Sequence, residues 1–129
     1  MADPLSVELV AADRTVWSGE ATMVIARTAE GEIGVLPNHA PVLGVLAEGA
    51  VQIRQTDDRL VVAAVHGGFL SIADNAVAIL AEQVELAEDI DVERARQALE
   101  RATGATDDES APAARQRAEA RIRAAELAS

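Results

Sequence analysis

Large apolar side chains are distributed very unevenly along this chain, and that limits what it can fold into. Leaving Ala aside, 36 apolar residues are present, and 31 of them lie in residues 1–89. Residues 90–129 hold only Ile90, Val92, Leu99, Ile122 and Leu127. Burying a large apolar side chain contributes about 1.5–3 kcal/mol, and a methyl group far less. A core is therefore expected in the first part and hardly at all in the second. Charge divides at the same place, with net −10 over residues 1–89 and net −1 over 90–129. The expectation is two units, 1–89 and 90–129, meeting near Glu88–Asp89.

The first unit reads as strands. Leu5, Val7 and Leu9 alternate with Ser6 and Glu8, and Val51 and Ile53 alternate with Gln52 and Arg54. This period of two suits a sheet with one wet face. Ala21–Arg27, Leu60–Val65, Phe69–Ala73 and Ala76–Leu80 are short runs rich in Val and Ile. Ser18-Gly19, Thr56-Asp57-Asp58, Gly67-Gly68 and Asp74-Asn75 read as the turns between strands. About eight to ten short strands at such spacing predict an antiparallel sandwich or barrel.

The second unit reads as two helices. Asp91 is placed to cap the first, which should run to about Thr103 with Gly104 as its stop. The polar, acidic stretch 104–110 reads as a loop. Pro112 sits in the first turn of the second helix, which should run to about Leu127. Asp107, Asp108 and Glu109 precede its positive end. So short a connection favours an antiparallel hairpin. Its helices should face each other through Ala95, Ala98, Leu99 and Ala102 on one and Ala114, Ala118, Ile122 and Ala125 on the other.

Several function classes are excluded. There is no Cys, hence no disulfide and no thiolate chemistry. The only two His are His39 and His66, too few for a His-rich metal site. A net charge of −11 argues against nucleic acid as partner. No apolar run reaches membrane-spanning length. The acidic start at Asp3, with no hydrophobic segment after it, is not that of an export signal. Neither a Gly-x-Ser-x-Gly elbow nor a phosphate-binding Gly-rich loop occurs. His66, ahead of Gly67-Gly68, reads as a strand-end histidine at a tight turn.

One stretch is more specific. Gly31-Glu32-Ile33-Gly34-Val35-Leu36-Pro37-Asn38-His39-Ala40-Pro41 packs two Gly, two Pro and a His into eleven residues. A structural turn accounts for the Gly and Pro but not for an exposed His at the tip. The pattern resembles the signature loop of the epsilon subunits of F-type ATP synthases, called delta in mitochondria. Three further stretches agree in family order. They are Val7-Glu8-Leu9-Val10 leading through Asp13-Arg14 to Val16-Trp17-Ser18-Gly19, Gly67–Ile72 followed by Val77–Glu82, and Ile90-Asp91-Val92-Glu93-Arg94-Ala95. The Lys-free, Ala-rich composition suggests an actinobacterial version.

The resemblance implies a β-sandwich of about ten strands followed by an α-helical hairpin. It also implies a non-catalytic subunit of the rotating central stalk. Such a subunit binds the gamma subunit and the membrane ring of c subunits, sits peripherally at the cytoplasmic face of the membrane, and couples rotation to ATP synthesis. The hairpin of such a subunit restrains ATP hydrolysis in many bacteria and reaches the alpha and beta subunits. Residue by residue, the resemblance carries a c-ring contact onto Glu32 and His39. It carries a regulatory ATP site onto Ile90, Asp91, Arg94 and Ala95, with Arg101, Arg117 and Arg121, and more loosely onto Glu85. No metal is implied. Arg94 and Arg101, seven apart on one helix, share a face, as do Arg117 and Arg121, four apart on the other. Ordinary helix salt bridges are the competing account. Arg94 is placed to pair with Asp91, and Glu119 with Arg115 and Arg123. A second helix of about 16 residues would span only about 24 Å.

Two readings of other classes remain open. A stand-alone sandwich binding a small ligand or carbohydrate would want aromatic platforms, and only Trp17 and Phe69 are available. A small hydrolase would have to act through His39.

Overall fold

A computed structural model of the chain describes residues 3–105 and 107–129. Nine strands come first: β1 (Leu5–Val10), β2 (Thr15–Thr28), β3 (Gly31–Val35), β4 (Val42–Val45), β5 (Gly49–Gln55), β6 (Leu60–His66), β7 (Phe69–Ala73), β8 (Ala76–Leu80) and β9 (Gln83–Leu86). A 3-10 turn at Ala87–Asp89 leads into α1 (Val92–Gly104) and α2 (Ala111–Ala128).

The strands form one hydrogen-bonded path, β4-β7-β8-β1-β2-β5-β6-β9, with β3 branching from β2. All pairings are antiparallel except β1 with β8, where Val7 lies opposite Val77. The path folds over on itself, because Leu70 and Ile72 near one end share a single apolar cluster with Val65 and Val84 near the other. Leu5, Val7 and Leu9 of β1 are fully buried in that cluster, as the period of two predicts. One isolated bridge, Thr28 with Leu46, supplements the nine strands.

Two local readings are corrected. Ser18-Gly19 is not a turn, since β2 runs unbroken through it for 14 residues. Gly19 is there for close approach: a Cβ at that position would stand 2.8 Å from the Trp17 ring. The irregularity falls later, where the register against β5 shifts between Ala21 and Met23. The segment 31–41 is not all loop either, because β3 occupies its first five residues and pairs with β2.

The true turns carry the expected backbone. Asp58, Asp74, Asn75, Gly67 and Gly68 have positive φ. Gly68 is the most constrained, at φ +119° with the carbonyl of Leu80 where a Cβ would sit.

The helices follow the sequence closely. The Asp91 carboxylate accepts from the Arg94 backbone N–H at 3.1 Å, capping α1. Pro112 lies in the first turn of α2. The Asp108 carboxylate accepts from the Ser110 hydroxyl at 2.7 Å and the Ser110 N–H at 2.9 Å, just ahead of that turn. The Ser110 hydroxyl, and after it the backbone N–H, hold the Asp108 carboxyl below its ordinary pKa.

α2 contacts α1 and also lies across β5 and β6. A second, smaller cluster forms there, with Val62, Ala64 and Ala124 at its centre and Ala50, Ile90 and Leu127 at its margin. This explains why β6 reads Leu-Val-Val-Ala-Ala-Val without alternation. Ala63 and Val65 face the main core, while Val62 and Ala64 face α2.

Candidate functional site

The hairpin and the sandwich meet through a line of charged side chains. His66 ends β6, as expected of a strand-end histidine at the Gly67-Gly68 turn, but its side chain is only 3% exposed. Both ring nitrogens are occupied. Nδ1 lies 2.6 Å from Glu48 Oε2 and Nε2 lies 2.9 Å from Glu85 Oε1. The same Glu85 oxygen accepts from Arg121 Nε of α2 at 2.6 Å. Glu48 precedes β5, and Glu85 lies on β9, whose strand pairs with β6. The sheet order β5-β6-β9 thus assembles three residues that are 18 and 19 positions apart in sequence. Sequence reasoning left Glu48 and His66 out of any site. The signal is tertiary, because β9 was not recognised as the neighbour of β6.

The eight positions to which the resemblance assigned a nucleotide are only partly drawn together. Glu85 and Arg121 are in contact. Ile90 is half-buried at the edge of the smaller cluster, Ala95 is buried, and Asp91 serves as the helix cap. Arg94 and Arg101 are exposed on α1, and Arg117 is half-buried on α2. Asp91 meets Arg94 through the backbone N–H rather than as an ion pair. Arg115 and Glu119 do pair, at 3.7 Å, whereas Arg123 pairs with Glu126 at 3.8 Å instead of Glu119. Beside this site a cleft of about 540 Å³ opens between β5 and the hairpin, bordered by Arg27, Glu32, Glu48, Leu99, Ile122 and Arg123.

Glu32 therefore borders the cleft from β3, opposite Arg27 in register. His39 lies on the Leu36–Pro41 loop and is half-buried rather than exposed, its Nδ1 2.7 Å from the Ala40 carbonyl. Asn38, at positive φ, donates its N–H to the Asn75 side chain at 2.6 Å, which clamps this loop to the β7–β8 turn.

A third surface lies on the outer side of β4, β7 and β8. Leu43 (78% exposed), Val45, Phe69 and Leu80 present apolar side chains to solvent. Val45, Phe69 and Leu80 stand in one cross-strand row. Among the described residues no group of His, Asp and Glu is arranged to hold a metal ion. None of the described helices is long and apolar enough to cross a membrane.

Known proteins show the same organisation. The family model for the ATP synthase delta/epsilon chain β-sandwich domain matches residues 4–87. A protein of Streptomyces griseus named ATP synthase epsilon chain is 58% identical over 124 residues, covering 96% of this chain and 97% of its own. One of the same name from Nocardia farcinica is 47% identical, covering 95% of this chain and 90% of its own. A solved chain from the Euglena gracilis mitochondrial ATP synthase, in an assembly of OSCP, F1 and c-ring, superposes with TM-score 0.74 at 27% identity. That likeness covers 95% of this chain and 78% of the other. A sandwich with a helical hairpin, matched over 96% and 95% of its length by two actinobacterial proteins of one name, is what the signature stretches anticipated: the chain belongs to the epsilon-chain family of the ATP synthases.

Proposed function

We propose that this epsilon chain, a structural and not a catalytic subunit, joins the gamma subunit to the c-ring in the central stalk. The observation that carries the reading is the apolar row Val45, Phe69 and Leu80, with Leu43 beside it, on the sandwich surface. Contiguous exposed apolar surface on a small protein marks an interaction site. The hairpin packs on β5 and β6, so this face is left open to a partner. Gamma is the occupant proposed for it. The Leu36–Pro41 loop with His39, and Glu32, are the proposed c-ring contacts. The subunit then sits peripherally at the cytoplasmic face of the membrane.

Replacing Phe69 with Glu puts a charge at the centre of the row. A central contact of this kind is worth about 2 kcal/mol or more, so gamma binding should weaken roughly thirtyfold. Unchanged capture by gamma would overturn the assignment of this face. For the loop, cysteines placed at Glu32 and His39 should cross-link to polar loops of the c subunit. Efficient linking only from the opposite end of the sandwich would refute it.

The hairpin is proposed to restrain ATP hydrolysis by leaving the sandwich for the alpha and beta subunits, and to take ATP as a regulatory ligand through Arg94, Arg101, Arg117 and Arg121. Each charge-assisted contact contributes about 1.5–3 kcal/mol. Calorimetry should find ATP binding that Arg94→Ala weakens about tenfold or more. No heat at millimolar ATP would remove the nucleotide from this account and leave the stalk reading untouched.

A further inference from the structure

The charged line across the two domains does more than hold them together. Glu48, His66 and Glu85 all belong to the sandwich, so they stay together whether or not the hairpin is docked. Arg121 is the one member that arrives with α2. An imidazolium donates from both nitrogens, and a neutral imidazole from one only. With His66 charged, the three sandwich groups sum to −1. With His66 neutral, they sum to −2. Arg121 is therefore drawn more strongly to the site when His66 has lost its proton. The competition is direct, because His66 and Arg121 share a single oxygen, Glu85 Oε1, and two cations so placed repel each other.

We propose that His66 is a proton-controlled latch on the hairpin: acid charges His66 and loosens Arg121 from Glu85, and loss of that proton tightens it. Charged groups reach the neighbourhood of the ring from three parts of the fold. Glu48 comes from the segment before β5, Glu85 from β9 and Arg121 from α2, while the register partner on β9, Gln83, is neutral. Arg27, Glu32, Glu119, Arg123 and Glu126 border the neighbouring cleft, and among the described residues none of them forms an ion pair with His66. The sign follows from linkage. The undocked form holds more protons, so docking gains as pH rises and loses as pH falls. Protonation of Glu85 itself in stronger acid acts in the same direction, and only the His66 step separates the latch from that background. A nearby cation moves a titration by about one unit or more. Charging His66 should therefore raise the undocked-to-docked ratio about tenfold. The inference concerns docking within this chain and does not depend on gamma, the c-ring or nucleotide.

The chain supplies its own reporter. Trp17, the only tryptophan, borders a cleft together with Ala125 and Ala128 of α2. Its emission should shift to the red as pH is lowered from about 8.5 to about 5, the span in which imidazoles titrate. His66→Gln should lose that step, and Arg121→Gln should be red-shifted at every pH, with circular dichroism reporting the strands intact. An acid step that survives unchanged in His66→Gln, or an acid-induced tightening, would overturn the latch. The reciprocal measurement leaves His66 in place. Followed by NMR, with the His39 resonance identified from His39→Gln, the His66 imidazole should take up its proton at a higher pH in Arg121→Gln than in the wild type. An identical midpoint in the two proteins would overturn the proposal even if His66→Gln fails to fold.

Discussion

The sandwich and the hairpin are held together by different materials. The sandwich interior is made of Leu5, Leu9, Ile53, Leu70, Ile72 and Ile79, all essentially inaccessible. The buried residues of the hairpin are Ala95, Ala111, Ala118, Ala120 and Ala124. Each leucine or isoleucine removes several times the apolar area of an alanine methyl, so stability per residue differs by the same order. Ala is nevertheless the best helix former. The hairpin therefore keeps its secondary structure cheaply while gaining little from where it rests. A part whose shape and position are stabilised separately can change position without losing shape.

The largest expected effect comes from cutting the two apart. Residues 1–89 alone should give a cooperative melt with β-type circular dichroism. Residues 90–129 alone should keep a partial helical signal that melts gradually and without a cooperative step, since isolated helices of this length are marginal in water. A hairpin that melts cooperatively by itself, or a sandwich that collapses without it, would erase the contrast.

Two glycines sharpen it further. Gly68→Ala forces a side chain onto the Leu80 carbonyl at φ +119° and should cost about 3 kcal/mol or more in thermal unfolding. Gly104→Ala, at the end of α1 with open space around it, should be neutral or stabilise by up to about 1 kcal/mol. Equal losses would mean that the sandwich and the hairpin share one stability.

Smaller still, Asp91→Ala removes the α1 cap and should cost about 1 kcal/mol. The loss should register in hydrogen exchange of the α1 amides and leave strand amides unchanged. The smallest effect concerns Asp108, whose carboxyl is held below its ordinary value by Ser110. A depressed carboxylate stabilises above the ordinary carboxylate range, and that contribution fades as pH falls through the lowered value. Helical signal should therefore separate wild type from Asp108→Asn slightly near neutrality and not at all in strong acid.

The fold was legible wherever one residue type has one job. The apolar imbalance marked out the β and helical parts, Asp91 announced the start of α1, and the Asp74-Asn75 and Gly67-Gly68 turns were visible because positive φ selects such residues. Gly19 misled because glycine serves turns and close packing alike, and only the Trp17 ring beside it decides which. The candidate site was half legible. Glu85 and Arg121 stood out through the family resemblance, yet their contact with each other, and the burial of His66 between two carboxylates, depend on β9 lying beside β6. Register between distant strands leaves no local trace in a sequence.

The one parallel pairing has a consequence for how the chain is made. β1 meets β8 with Leu9 opposite Ile79, so the first strand cannot complete its partners until the eighth exists. Only its antiparallel neighbour β2 is available early. Bringing such remote segments together must be bought with loop entropy before any burial repays it, which slows folding. A nascent chain emerging in order would hold one edge of β1 open through most of its synthesis. Unpaired strand edges invite pairing with other chains, and Glu8 in the middle of β1 is the charge that stands guard there while the chain waits.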